Sequence, residues 1–240
     1  MTDKMSKNID INTIANRLLT AHDNIKLACE KSLRSPQEIE LMAVSKTKPD
    51  QLILEAYNSG QRIFGENYAQ ELSEKSKRLA HYKDIEWHYI GPIQSNKTKI
   101  ICEASQWVDT IDRTKIATRL NQHCEELDKT LNVLIQVNVS RSENKSGILI
   151  EQIEELALHI DKLPHLQLRG LMAIPDKYEN EEKTKQEFLI MSTCFSELKQ
   201  QYPQIDTLSL GMSGDMSLAI ESGSTMIRIG TAIFGERVAK

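Results

Sequence analysis

A chain of 240 residues, 40% hydrophobic and 27% charged, has the composition of an ordinary globular protein and not of a disordered or fibrous one. Thirty Lys and Arg stand against 34 Asp and Glu, a formal net charge of −4, so there is no broad cationic field to hold a nucleic-acid backbone. No apolar run approaches the roughly 20 residues that span a bilayer, and Met1–Asp10 is polar, unlike a signal peptide. The expected location is therefore the cytoplasm, with neither nucleic acid nor membrane as a partner. Cys29, Cys102, Cys124 and Cys194 are scattered, without a CxxC pair or a histidine at metal-ligand spacing, and read as reduced thiols.

The first element is an amphipathic helix with Ile14, Leu18, Leu19, Ile25 and Ala28 on a rough three-to-four spacing. Short apolar runs then alternate with longer amphipathic segments. The predicted strands are Leu41–Ser45, Arg62–Gly65, Glu86–Ile90, Trp107–Ile111, Asn132–Val139, Gln167–Ala173, Thr207–Gly211 and Met226–Gly230. The predicted helices between them are Asp50–Ser59, Ala69–His81, Lys97–Ala104, Thr114–Leu127, Ile150–Lys162, Glu181–Tyr202 and Asp215–Glu221. Strand–helix alternation implies a parallel sheet, because each right-handed crossover returns the chain to the same edge. Eight such units predict a single (β/α)8 barrel, with an open doubly wound sheet as the alternative. No Pro/Gly/Ser-rich linker divides the chain, so one domain over residues 1–240 is expected, with 1–35 as a helical extension.

Lys46 stands at the carboxyl end of the first predicted strand, in Ala43-Val44-Ser45-Lys46-Thr47-Lys48-Pro49. Barrels place their chemistry at that end of the sheet. A lysine desolvated there can lose its proton and form a Schiff base with a carbonyl carbon. The other strand exits gather glycines, amides and hydroxyls: Gly65-Glu66-Asn67-Tyr68, Gly91-Pro92-Ile93-Gln94-Ser95-Asn96-Lys97, Lys145-Ser146-Gly147, Gly211-Met212-Ser213-Gly214-Asp215 and Arg228-Ile229-Gly230-Thr231. Loops are polar for ordinary reasons too, but so many exits with this chemistry favour a site. The last two loops are where barrels often bind phosphate, with backbone N–H groups and a helix dipole facing the anion. Ser213 and Thr231 add hydroxyls there; each could instead be a plain helix N-cap. A lysine for an aldehyde and a cup for a phosphate together describe pyridoxal 5′-phosphate. Arg228 would point into the barrel mouth towards the pyridine nitrogen, or form a structural ion pair.

At these residues the chain resembles the pyridoxal-phosphate homeostasis proteins and, more distantly, the barrel domain of the alanine racemases. The resemblance runs from Ala43 to the end of the chain. Further motifs that carry it are Phe64-Gly65-Glu66-Asn67, His88-Tyr89-Ile90-Gly91-Pro92, Arg169-Gly170-Leu171-Met172-Ala173-Ile174-Pro175 and Ala232-Ile233-Phe234-Gly235. It implies a (β/α)8 barrel with Lys46 as the Schiff-base lysine. It also implies phosphate contacts from Ser213, Gly230 and Thr231, Arg228 near the pyridine nitrogen, Asn67 beside the cofactor and Met172 in the pocket wall.

An arginine facing the pyridine nitrogen disfavours its protonation and weakens the electron sink. Racemisation also needs an acid/base on each face of the α-carbon, and the racemases take the second from a further β domain that this chain leaves no room for. The expected function is a non-catalytic protein that holds, buffers or delivers the cofactor, possible recipients being apo forms of pyridoxal-phosphate enzymes. A single-domain amino-acid racemase is the alternative, and a cofactor-free lysine aldolase a third reading. A monomer is expected, because the racemases' dimerising domain is absent. Tyr68 is the best internal stand-in for the missing acid/base, though half-buried packing explains it more simply. His88 and Trp87 read as packing at the start of the third strand. Lys97, Lys99 and Lys145 would make the entrance basic or simply face water. Lys48 would pass the cofactor on or face water.

Overall fold

The computed structural model describes residues 13–176 and 178–236. Helix α1 (Ile14–Ser32) is followed by eight strand–helix units. The strands are β1 (Glu40–Val44), β2 (Ile63–Glu66), β3 (Glu86–Tyr89), β4 (Trp107–Ile111), β5 (Leu131–Val137), β6 (Leu166–Ala173), β7 (Thr207–Ser209) and β8 (Met226–Ile229). They form a closed barrel in chain order. The open-sheet alternative is excluded by the last seam: β1 pairs in parallel with β8, from Glu40 opposite Met226 to Ala43 opposite Ile229. The helices are α2 (Asp50–Asn58), α3 (Ala69–Arg78), α4 (Thr98–Ala104), α5 (Thr114–Glu126), α6 (Ile153–Asp161), α7 (Glu181–Gln201), α8 (Met216–Glu221) and the short α9 (Thr231–Phe234). Among the described residues, no helix is long and apolar enough to cross a membrane.

Every predicted strand and helix is present, with shifts at the ends. Ile150–Gln152 is a 3-10 turn before α6, and α8 begins at Met216. The polar stretch Met1–Asp10 lies outside the described residues.

Alternate strand residues point outwards and inwards. The outward set, such as Leu41, Ala43, Phe64, Trp87, Val108, Val133 and Ile135, is buried in one large apolar cluster with the helices. That layer is the hydrophobic core, and each fully buried Leu or Ile in it contributes about 1.5–3 kcal/mol. The interior is different. Its apolar part includes a small separate cluster of Trp107, Leu134 and Met172. Above and beside it lie buried charges: His88 and Asp109 are fully buried and Arg228 is 5% exposed.

Helix α1 packs on α8 and α9, beneath the last two loops. Thr13 caps it, its hydroxyl accepting the Asn16 N–H. Its buried stripe is Ile14, Leu18, Ala21, Ile25, Ala28 and Cys29. Leu19, expected on that stripe, is 60% exposed. One residue further round the helix is a rotation of about 100°, which carries Leu19 off the face that Leu18 buries.

Candidate functional site

Lys46 stands two residues past the end of β1 and is half-buried at the carboxyl face. The turn that holds it is tight. The Ser45 N–H donates to the Gly65 carbonyl at 3.0 Å, and the Lys48 N–H donates back to the Ser45 carbonyl at 3.0 Å. Thr47 takes φ +64°, the left-handed region that a β-branched residue rarely enters. Lys48 turns away from the barrel axis, and its ammonium caps the end of α9 through the carbonyls of Gly235 (2.7 Å) and Glu236 (2.8 Å).

Asn67 leaves β2 beside this turn. Its side-chain oxygen Oδ1 is buried and has no hydrogen-bond partner among the described residues. Gly91, at the exit of β3, lets the two loops approach: a Cβ there would sit 1.9 Å from the Asn67 carbonyl oxygen. Tyr68, the N-cap residue of α3, is 52% exposed.

The β7 exit forms a turn in which the Asp215 carboxylate accepts the Met212 N–H at 2.6 Å. Ser213 and Gly214 are exposed at its tip. Asp215, not Ser213, occupies the N-cap position of α8. Thr231 is the first helical residue of α9, whose N-cap is Gly230. Neither hydroxyl is therefore used as an N-cap, and the first-turn N–H groups of a helix have no partner within it. Gly230 lies against the first strand, where a Cβ would stand 3.4 Å from the Val44 carbonyl oxygen. The seam between β8 and β1 thus brings the Gly230–Thr231 turn alongside the segment that leads to Lys46.

Arg228 points into the barrel at the height of the β6 and β7 ends. One terminal nitrogen donates to the Ser209 carbonyl (2.8 Å) and hydroxyl (2.7 Å), the other to the Ala173 carbonyl (3.1 Å). Burial holds its pKa below the usual arginine value, and the charges of Asp109 and Asp215 offset only part of that. Met172 is fully buried in the interior cluster with Trp107 and Leu134, so it forms packed floor.

Two arrangements escaped the sequence reading. His88 is packed in the core, but it also has charged partners. Its Nδ1 faces Asp109 at 3.0 Å, its Nε2 faces Glu86 at 3.2 Å, and its ring stacks on Trp107. Burial alone would strip its proton, but the two carboxylates outweigh burial and lift its pKa to about 9. Behind Lys46, Glu66 is fully buried and Lys75 is 2% exposed; they pair at 2.7 Å. Burial raises the Glu66 pKa to about 7 against the pull of Lys75 and of the Ser45 hydroxyl. The only local signal was the Glu71–Lys75 spacing of four on a helix, a pattern that surface helices share.

The expected basic rim resolves into separate roles. Lys99 is 58% exposed and pairs loosely with Glu126 at 3.8 Å. Lys145 pairs with Asp176 at 3.0 Å and donates to the carbonyls of Ile174 and Pro175, which ties the β5 and β6 exits together. Lys97 is half-buried at the N-cap position of α4. Cys29, Cys102 and Cys124 are buried, Cys194 is partly so, and all four are free thiols. No group of three or more His, Cys, Asp or Glu among the described residues could hold a metal ion.

The fold and this geometry define a parallel (β/α)8 barrel whose carboxyl face sets a strand-end lysine beside the Gly230–Thr231 turn. The family described as alanine racemase, N-terminal domain, matches residues 19–238. Within that family the chain belongs to the pyridoxal phosphate homeostasis proteins. It is 55% identical to the protein of that name from Vibrio alginolyticus over 211 residues, 87% of this chain and 91% of the relative. It is 50% identical to that of Escherichia coli (strain K12) over 232 residues, 95% and 98% of the two chains. Among solved structures, PipY of Synechococcus elongatus PCC7942 with PLP bound superimposes with a TM-score of 0.81 at 34% identity, covering 93% of this chain and all of that one.

Proposed function

We propose that this protein binds pyridoxal 5′-phosphate covalently through Lys46 and holds, buffers or delivers it in the cytoplasm without turning over an amino acid. The observation that carries this reading is the β8–β1 seam, which sets the Gly230–Thr231 turn next to the strand leading to Lys46. An aldehyde reagent that also carries a phosphate matches two such groups side by side. The buried, unpartnered Oδ1 of Asn67 supplies an acceptor for a polar substituent of the same ligand. The names of the curated relatives and the PLP-bound PipY structure support the same assignment.

Each residue has a task in this reading. Lys46 would hold the cofactor by its aldehyde carbon, a carbonyl with which a lysine amine condenses reversibly, releasing water with no change of oxidation state. Ser213, Gly230 and Thr231 bind the phosphate with N–H and hydroxyl donors at two helix starts. Arg228 faces the pyridine nitrogen. Its three protein acceptors hold it in place, and as a guanidinium it keeps its charge, so it opposes protonation of the ring. Met172 supports the ring from the interior. When bound, the cofactor supplies an electron sink, and Arg228 keeps that sink weak. A carrier needs only the reversible attachment. Apo forms of pyridoxal-phosphate enzymes are the proposed recipients, and a monomer is the proposed state.

The purified protein incubated with pyridoxal 5′-phosphate should turn yellow, and borohydride should fix the label on the Lys46 peptide. A colourless wild-type protein would overturn the assignment. The alanine racemase family match makes a single-domain racemase the competing reading. Repeated α-proton exchange of L-amino acids in deuterated water, abolished by Lys46→Ala, would establish it against the carrier.

A further inference from the structure

We infer that Glu66, Lys75 and Glu71 form a positioning device for Lys46, clamping the backbone on both sides of it from behind the barrel wall. The inference rests on Lys46 being the attachment point for an aldehyde, as proposed above.

The contacts converge on one residue. The Lys75 ammonium donates to the carbonyl of Ser45, the residue before Lys46, at 2.8 Å. The Ser45 hydroxyl donates to Glu66 Oε1 at 2.6 Å, and Lys75 donates to the same oxygen at 2.7 Å. On the other side, the N–H of Thr47, the residue after Lys46, donates to Glu71 Oε1 at 2.7 Å. Glu71 and Lys75 pair at 2.7 Å, which closes the loop on α3.

An ordinary structural ion pair does not need this arrangement. Burying Lys75 and Glu66 carries a heavy desolvation cost, and apolar residues of similar size would fill the space as well or better. What apolar residues cannot do is hold a main-chain carbonyl and a main-chain N–H two residues apart. Thr47 sits at φ +64°, a conformation a threonine abandons unless it is held. The Glu71 carboxylate is the group that holds its N–H. Glu66 Oε2 is buried without a partner among the described residues, a further cost accepted in this network. The direct effect is on where the Lys46 side chain starts and points, and a misplacement of about 1 Å can slow a positioned attack by about 100-fold.

The test separates attachment from binding. Pyridoxal 5′-phosphate reads both, through the absorbance of the Schiff base and borohydride trapping. Pyridoxine 5′-phosphate has no aldehyde and reads only the ring and phosphate contacts. Glu71→Ala, at a residue 23% exposed, removes the acceptor of the Thr47 N–H. Glu71→Gln keeps a carbonyl acceptor there. Glu71→Ala should slow Schiff-base formation at least tenfold while pyridoxine 5′-phosphate affinity stays within twofold of wild type, and Glu71→Gln should recover most of the rate. The double variant Glu66→Gln/Lys75→Met, which leaves no unpaired buried charge between the two, should show the same selective loss. Equal rates in wild type and Glu71→Ala would overturn the inference, as would a parallel loss of both ligands. A wild-type protein that attaches no pyridoxal 5′-phosphate would instead overturn the cofactor assignment, and this inference with it.

Discussion

The His88 imidazole donates to Asp109 at 3.0 Å inside the barrel, where both side chains are fully buried. With Glu86 below and Arg228 above, signs alternate up the interior, and each charge has an opposite neighbour. A barrel interior is usually filled by branched apolar layers. Here a charged ladder occupies that space beneath the proposed pyridine site, and it answers to pH.

The His88 pKa of about 9 lies above the ordinary 6.5, so the folded state holds a proton the unfolded chain gives up earlier. Its contribution is fully present below pH 6.5 and is lost as pH rises through 9. The shift corresponds to on the order of 3 kcal/mol. Glu66, lifted to about 7, adds a slope of the same sign at lower pH, because its proton too is held more tightly when folded. Urea unfolding of wild type at pH 6, 7.5 and 9 should show falling stability across the upper interval. His88→Gln should be less stable at pH 6 and should flatten that interval. A wild-type curve that is level from pH 6 to 9.5 would refute the buried imidazolium.

Gly91→Ala should be among the most disruptive single-methyl changes in the chain. Its Cβ would meet the Asn67 carbonyl oxygen at 1.9 Å, a contact with backbone that no side-chain rotation relieves. Overpacking of this kind costs about 1–3 kcal/mol, and the strain falls on the loop that carries Asn67. Thermal melting should show a lowered midpoint, and pyridoxal 5′-phosphate should bind more weakly in the fraction that folds. An unchanged midpoint would mean that the two loops separate freely.

Leu18 and Leu19 are adjacent and chemically identical, yet they should respond oppositely. Leu18 is 2% exposed and Leu19 is 60% exposed. Leu18→Ala should cost about 2–5 kcal/mol and loosen the packing of α1 under α8 and α9. Leu19→Ala should stay within about 0.5 kcal/mol of wild type. Guanidinium unfolding of the pair decides it, and equal losses would show that α1 is rotated from the orientation described.

Thr231 is exposed and does not cap its helix, so its hydroxyl is available to a ligand without being needed by the fold. Thr231→Val should weaken pyridoxal 5′-phosphate binding by about 1 kcal/mol, the ordinary worth of one hydrogen bond, with no change in melting midpoint. Unphosphorylated pyridoxal should bind wild type and variant equally. A matching loss for both ligands would place Thr231 away from the phosphate.

Much of the fold was legible because it is written in local periodicity. All eight strands and helices α1 to α8 left a trace in apolar spacing, the short α9 did not, and Lys46 could be placed at a strand end from its flanking residues alone. The site was legible as far as it sits at strand exits, where glycines and hydroxyls stand out. The hidden part lies where one residue type serves two purposes. Glu71 and Lys75 look like any exposed helical pair until β1 and β2 are packed against α3.

What the sequence by itself determined was the order of elements and the residues offered at each strand exit, because 2-residue and 3.6-residue periods are properties of neighbouring positions. What only the tertiary structure decided was closure and burial. The β1–β8 seam joins residues at opposite ends of the chain, and it alone puts Gly230 beside Val44. Burial then sorted the charges: Lys75, His88 and Arg228 were withdrawn from water and given partners, while Lys99 stayed outside. Charge is a property of the residue; the surroundings that set its pKa and its use come from the other strands.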